Sequence, residues 1–128
     1  MTKKHHIRET KILVVDDDPL IVHTVKHHLL REGYQVLTAS NGMEALQVVE
    51  NENIDLIITD IMMPELSGLN LINFFREFYS IKVPIIIITS LGQNHIIYPS
   101  LKQGANDFLT KPIDFSALSM SVKNILRK

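Results

Sequence analysis

The stretch Ile54-Asp55-Leu56-Ile57-Ile58-Thr59-Asp60 decides how the chain is read. It is strand-sized, β-branched and almost wholly apolar, and it ends on a carboxylate. A run with no polar alternation suits a strand buried on both faces, as in parallel sheets. A carboxylate at the end of such a strand is costly unless something pairs it. Two other segments end in a matching way. Lys11-Ile12-Leu13-Val14-Val15 runs into Asp16-Asp17-Asp18, and a third strand-like segment near the C-terminus runs into Lys111-Pro112.

Working outward, the chain alternates in type. Lys11–Asp16 reads as strand one. Asp18 and Pro19 open a helix as N-cap and first helical residue, and Gly33 stops it. Tyr34–Ala39 is strand two, and its mixed pattern suits an edge. Gly42 to about Asn51 is helix two. Ile54–Asp60 is strand three. Met63 to Gly68 is a loop, and Leu69 to about Tyr79 is helix three, with Leu69, Ile72, Phe75 and Phe78 or Tyr79 apolar. Pro84–Thr89 is strand four, a helix ending at Gly104 follows, Asp107–Thr110 is strand five, and Phe115 to about Leu126 is the last helix. Proline inside a helix costs roughly 3 kcal/mol or more, so helix four is expected to begin near Pro99, with Asn94–Tyr98 as loop. Ile96, Ile97 and Tyr98 would then offer a partner an apolar approach. Five strands interleaved with five helices imply an α/β, doubly wound parallel sheet. In the order 2-1-3-4-5 the winding reverses between strands one and three, where such sheets place ligands.

The 128 residues fit one domain, with residues 1–10 as a polar tail and 11–128 as the folded unit. With a net charge of −1 there is no electrostatic case for nucleic acid. The absence of cysteine excludes disulfides, thiolate chemistry and cysteine zinc sites. No apolar run approaches a membrane span and no signal core is present, so the expected location is cytoplasmic.

Asp16, Asp17 and Asp60 in one pocket would repel one another, and a hard cation with oxygen ligands relieves this; Mg²⁺ suits best. A carboxylate left free beside it is a nucleophile, and Asp60, alone on the central strand, is the candidate for an aspartyl phosphate. Phosphoryl transfer needs its oxygens neutralised. Lys111 offers a point charge, and Thr89 at the end of strand four offers a hydroxyl.

The pieces Ile12-Leu13-Val14-Val15-Asp16-Asp17-Asp18, Asp60-Ile61-Met62-Met63-Pro64, Gly68, Thr89-Ser90, Gly104-Ala105 and Lys111-Pro112, in this order and spacing, resemble the receiver domain of two-component response regulators. The resemblance spans residues 11 to 127. It implies a flavodoxin-like receiver fold and a signalling switch that modifies only itself, rather than a metabolic enzyme. By position it makes Asp60 the phosphoacceptor, Asp16 and Asp17 the acid pair, Met62 a backbone-carbonyl metal ligand, Thr89 the switch hydroxyl, Lys111 the phosphate-binding lysine and Phe108 a rotating aromatic. It also implies a sensor histidine kinase or histidine phosphotransfer protein as donor. Signalling would run through the face of helix four, strand five and helix five, and a homodimer on phosphorylation is open. Met62 and Leu91, each two residues beyond a site residue, would shield an acyl phosphate from water.

Plainer readings stand beside these. Asp18 is simply an N-cap, Gly68 and Gly104 are turn and helix-stop residues, and Phe108 reads equally as core. His23 and His27 have metal-binding spacing but read as a solvated helix face. Asp16-Asp17-Asp18 contains an Asp-x-Asp that would open a haloacid-dehalogenase-type phosphohydrolase, with its nucleophile on strand one and a cap domain for which the chain has no room. A receiver-like module that is never phosphorylated is the other alternative. The chain reads as a stand-alone receiver, a relay, or a piece of a longer regulator.

Overall fold

The computed structural model describes residues 9–63, 68–78, 82–90 and 94–127. The expected tail falls almost wholly outside these residues, as do Pro64–Ser67 of the expected loop. Five parallel strands form one sheet in the order β2-β1-β3-β4-β5. They are β1 (Lys11–Val15), β2 (Gln35–Ala39), β3 (Leu56–Asp60), β4 (Ile85–Thr89) and β5 (Asp107–Thr110). The helices between them are α1 (Pro19–Arg31), α2 (Gly42–Asn51), α3 (Gly68–Asn73), α4 (Asn94–Gln103) and α5 (Phe115–Leu126). Every residue of β3 and β4 is buried. β2, at one edge, keeps a mixed pattern with only Ala39 buried. The alternation of side chains along the strands builds two cores. Leu13, Val15, Ile57, Ile85 and Ile87 meet Ala45 and Leu46 of α2 and Leu71 and Ile72 of α3 on one face. Ile12, Val14, Ile58, Ile86 and Ile88 meet Val25 and Leu29 of α1 and Leu118 and Val122 of α5 on the other. Strands buried on both sides leave one edge of the central sheet for polar chemistry, namely the carboxyl ends.

Local chemistry sets the helix ends that point there. Asp18 accepts the Leu20 N–H at 2.9 Å and Pro19 takes the first helical position, so α1 starts three residues past Asp16. Asn41 caps α2 by accepting the Glu44 N–H at 2.9 Å, and the Glu44 carboxylate accepts the N–H of Ser40, one residue before the cap, at 2.7 Å. Asp114 caps α5 through the Ser116 and Ala117 amides.

Two helices differ from the sequence reading. α4 begins at Asn94 and runs through Pro99, so the expected loop over 94–98 is helical. The missing Pro99 N–H forfeits only the bond to the His95 carbonyl. Both residues are exposed, so water can serve that carbonyl. The third helix is α-helical only to Asn73 and widens into a π-helical turn over Phe74–Phe78. Leu71, Ile72 and Phe75 are fully buried there, while Arg76 reaches across to donate to the Gly104 carbonyl at 3.0 Å. Among the described residues no helix is long and apolar enough to cross a membrane.

Gly104 ends α4 with φ +121°, a conformation nearly closed to side chains, and a Cβ there would lie 2.9 Å from Arg76 Nε. Gly104→Ala is expected to destabilise the fold by about 1–2 kcal/mol, chiefly through backbone strain. Urea denaturation measures this, and an unchanged midpoint would contradict it.

Candidate phosphoacceptor site

The ladder register brings the site together. Val15 pairs with Thr59, Asp60 with Ile88, and Thr89 with Thr110. Asp16, Asp60, Thr89 and Lys111 therefore stand side by side at the carboxyl ends of β1, β3, β4 and β5. The Lys111 N–H donates to the Thr89 carbonyl at 2.7 Å, and the Asp16 N–H donates to the Ala39 carbonyl at 3.2 Å. Lys111 Nζ reaches between the two acids, 3.2 Å from Asp16 Oδ2 and 3.5 Å from Asp60 Oδ2. Asp16 is fully buried and Asp60 is 5% exposed. Their second oxygens are held by backbone: Asp16 Oδ1 accepts the Asp18 N–H at 2.9 Å and Asp60 Oδ1 accepts the Met62 N–H at 3.3 Å. Those loop amides fix both carboxylate planes.

Electrostatically the site is under-neutralised. Burial pushes the Asp16 carboxyl above its ordinary range, against the Asp18 amide and Lys111, which pull it down. Burial, and then the charge of Asp16, push Asp60 up in the same direction. Burial alone would lower Lys111, but the Asp60 and Asp16 carboxylates outweigh it and hold the ammonium above its usual value. One lysine thus serves two buried acids, with exposed Asp17 adding a third negative charge. Among the described residues, Asp16 Oδ2 has no partner beyond its ion pair with Lys111, and the buried Thr89 hydroxyl has no hydrogen-bond partner. Buried polar atoms normally have one.

The donor set fits Mg²⁺. Asp16, Asp17 and Asp60 each offer a carboxylate oxygen, and these atoms lie within 4.8 Å of one another. Opposite ligands of octahedral Mg²⁺ are about 4.2 Å apart, so a closure of roughly half an ångström by side-chain rotation would let the three oxygens border one ion.

Other expectations sort as follows. Asp18 caps α1. Phe108 on β5 is 37% exposed, so it is not core in this conformation. Met62 is 49% exposed, while Leu91 lies outside the described residues. Tyr98 is 68% exposed on α4, and the side chain of Ile96 lies outside the described set. His28, next to His27 on α1, has a specific partner. Its Nε2 is 2.7 Å from Ser119 Oγ, which donates to Glu32 Oε2 at 2.7 Å, tying α1 to α5. Sequence reasoning missed this link, because nothing in the local pattern pairs residues 28 and 119. A hollow of about 340 Å³ opens beside the acids, with Asp16, Asp17, His23, Lys26, Ser40 and Glu44 in its lining.

Comparison with known proteins agrees with this geometry. The family model described as "Response regulator receiver domain" matches residues 12–123. The alkaline phosphatase synthesis transcriptional regulatory protein PhoP of Bacillus subtilis is 40% identical over 118 residues, covering 92% of this chain and 49% of that protein. The transcriptional regulatory protein GlrR of Escherichia coli is 37% identical over 119 residues, covering 91% of this chain and 26% of its own length. The chain therefore spans half or less of these curated relatives. Among solved structures, a response regulator receiver domain protein from Clostridium thermocellum superposes with a TM-score of 0.84 at 36% identity, covering 91% of this chain and 94% of that one. A response regulator structure from Chloroflexus aurantiacus gives 0.87 at 32% identity, covering 93% and 98%. With the family model matched over residues 12–123 and relatives 37–40% identical over more than nine-tenths of the chain, the protein belongs to the response regulator receiver domain family.

Proposed function

We propose that residues 11–128 form a signalling switch that accepts a phosphoryl group on Asp60. The observation that carries this reading is the cluster of Asp16, Asp60 and Lys111 at the ends of three strands, with the buried Thr89 hydroxyl alongside and without a partner among the described residues. In the transfer, an Asp60 carboxylate oxygen forms a bond to phosphorus as the bond from phosphorus to the donor imidazole nitrogen breaks. The electron pair of that bond stays on the nitrogen, and the ring, protonated at its other nitrogen, leaves as neutral imidazole. Lys111 Nζ sets a positive charge against the transferring oxygens. Thr89 Oγ donates to one of them, giving its buried hydroxyl an acceptor. Asp16, Asp17, Asp60 and the Met62 carbonyl would hold Mg²⁺, which would supply charge neutralisation for acids and phosphoryl oxygens.

The conformational output follows from the same contacts. Phosphorylation replaces the single charge of the Asp60 carboxylate with a phosphoryl group carrying close to two, a net gain of about one negative charge beside Thr89 and Lys111. Drawing Thr89 inward vacates space next to Phe108, whose exposed ring gains apolar burial by turning in. The α4-β5-α5 face would change shape as populations shift. The donor would be a sensor histidine kinase or a histidine phosphotransfer protein, in the cytoplasm, and the output partner or segment is left open. This assigns the chain no turnover on other substrates.

Incubation with acetyl phosphate and Mg²⁺, followed by intact and peptide mass spectrometry, tests the reading. One added phosphoryl group on the peptide containing Asp60 is expected. An adduct on Asp16, with release of p-nitrophenol from p-nitrophenyl phosphate, would favour a phosphohydrolase instead. No adduct from acetyl phosphate or from a phosphohistidine protein would leave an interaction module.

A further inference from the structure

A second hollow, about 330 Å³, lies along α1 where it meets the start of α5. It is lined by His23, Thr24, His27, His28, Arg31 and Phe115. Three imidazoles in one groove are more than the proposed phosphoryl chemistry uses. His23 and His27 stand one helical turn apart, which is about 6 Å along the axis. Their rings lie with centroids 6.3 Å apart and planes 13° from parallel. Both residues are exposed, and neither ring makes a hydrogen bond among the described residues. Each therefore keeps a nitrogen lone pair with no competing partner. His28 does not join them, because its Nε2 is taken by Ser119.

We propose that His23 and His27 form a two-imidazole site for a divalent transition ion such as Zn²⁺ or Ni²⁺, distinct from the carboxylate pocket. Imidazole suits these borderline ions, whereas Mg²⁺ selects oxygen. Two nitrogens ligating one ion at 2.0–2.1 Å sit about 3 Å apart. Exposed rings on one helix face reach that separation by side-chain rotation alone, with no movement of backbone. The remaining coordination positions are open to water or to a donor from a partner. Arg31 and Lys26 repel a cation, but the groove is open to solvent and the repulsion is screened there.

His23 also lines the hollow containing Asp16 and Asp17, so the test must separate the two sites. Zn²⁺ is titrated, by calorimetry and by NMR of the histidine rings, into the 128-residue chain under saturating Mg²⁺, with His5 and His6 replaced by Gln to remove their imidazoles. One equivalent is expected, shifting the His23 and His27 ring signals together. In that background His23→Asn or His27→Asn is expected to weaken binding at least about tenfold, while Asp17→Asn leaves it unchanged. Circular dichroism confirms that the variants keep their helices. Absent binding, binding that survives both histidine variants, or loss only with Asp17→Asn would overturn the assignment.

Discussion

Asp60→Asn is expected to abolish phosphoryl acceptance while making the Mg²⁺-free protein more stable. The first effect follows from the loss of the nucleophilic carboxylate, which an amide does not replace. The second follows from burial. Asp60 is 5% exposed beside the fully buried Asp16, with one lysine for both. Its carboxyl is raised first by desolvation and next by Asp16. A raised acid binds its proton more tightly folded than unfolded. Its contribution to stability is thus most favourable below the unfolded value of 3.8 and is lost as pH rises from there through the folded value. At neutral pH the ionised carboxylate is a net cost. Asparagine removes that cost and leaves Lys111 and Asp16 as a matched pair. A gain of about 1–3 kcal/mol is expected in EDTA at pH 7. For a chain of this size that raises Tm by roughly 3–10 °C. The gap should narrow as pH falls toward 4, and it should shrink in saturating Mg²⁺, which stabilises only the protein that binds it. Thermal unfolding across pH, with and without the metal, measures all three. Equal Tm values in EDTA at pH 7 would show that the wild-type site is already neutralised.

The same clash between burial and charge is what made the site legible from sequence. An acid closing the run Leu56–Thr59 has no structural excuse, and Asp16 after Val14-Val15 repeats the anomaly. The sheet order followed from patterning too, since β3 and β4 carry no polar alternation while β2 does. What the sequence left out are contacts whose partners lie far apart in the chain. The π-helical turn at Phe74–Phe78 is settled by how Phe75 packs and by the reach of Arg76 to Gly104, neither of which is visible in a window of local periodicity. α4 passes through Pro99 because the one carbonyl it orphans is exposed, a fact about surroundings and not about propensity. Leu71 entered the core although the expected stripe passed over it: Leu71, Ile72 and Phe75, at i, i+1 and i+4, share one helix face and are all fully buried. Phe108 was ambiguous for a related reason: a strand aromatic is core or surface according to what covers its face, and here little does.

Lys111→Ala is expected to do the reverse of Asp60→Asn to stability. It removes the lone cation from between two buried carboxylates. Breaking a buried pair by deleting one partner typically costs 3–5 kcal/mol. The Lys111 side chain is 21% exposed, so solvent reaches its place and about 2–3 kcal/mol is the better expectation in EDTA at pH 7. The acids hold the ammonium above its usual 10.5. The lysine's contribution is therefore fully present below 10.5 and is lost as pH rises through its higher folded value. At the acid end the deficit of the variant should fade as Asp16 and Asp60 take up protons. It should thus be widest across the neutral range. Combined with Asp60→Asn, the lysine deletion should cost clearly less than it does alone, because one carboxylate has already gone; the difference measures the coupling. In the transfer reaction, loss of this point charge should slow phosphoryl acceptance by about 10²–10³-fold at saturating Mg²⁺. Lys111→Arg restores the charge but not its compact shape, so it should recover stability more fully than rate. If Lys111→Ala were as stable as wild type and accepted phosphoryl at the same rate, the lysine would be a bystander. The proposed electrostatics of the site would then have to rest on the metal and Thr89 alone.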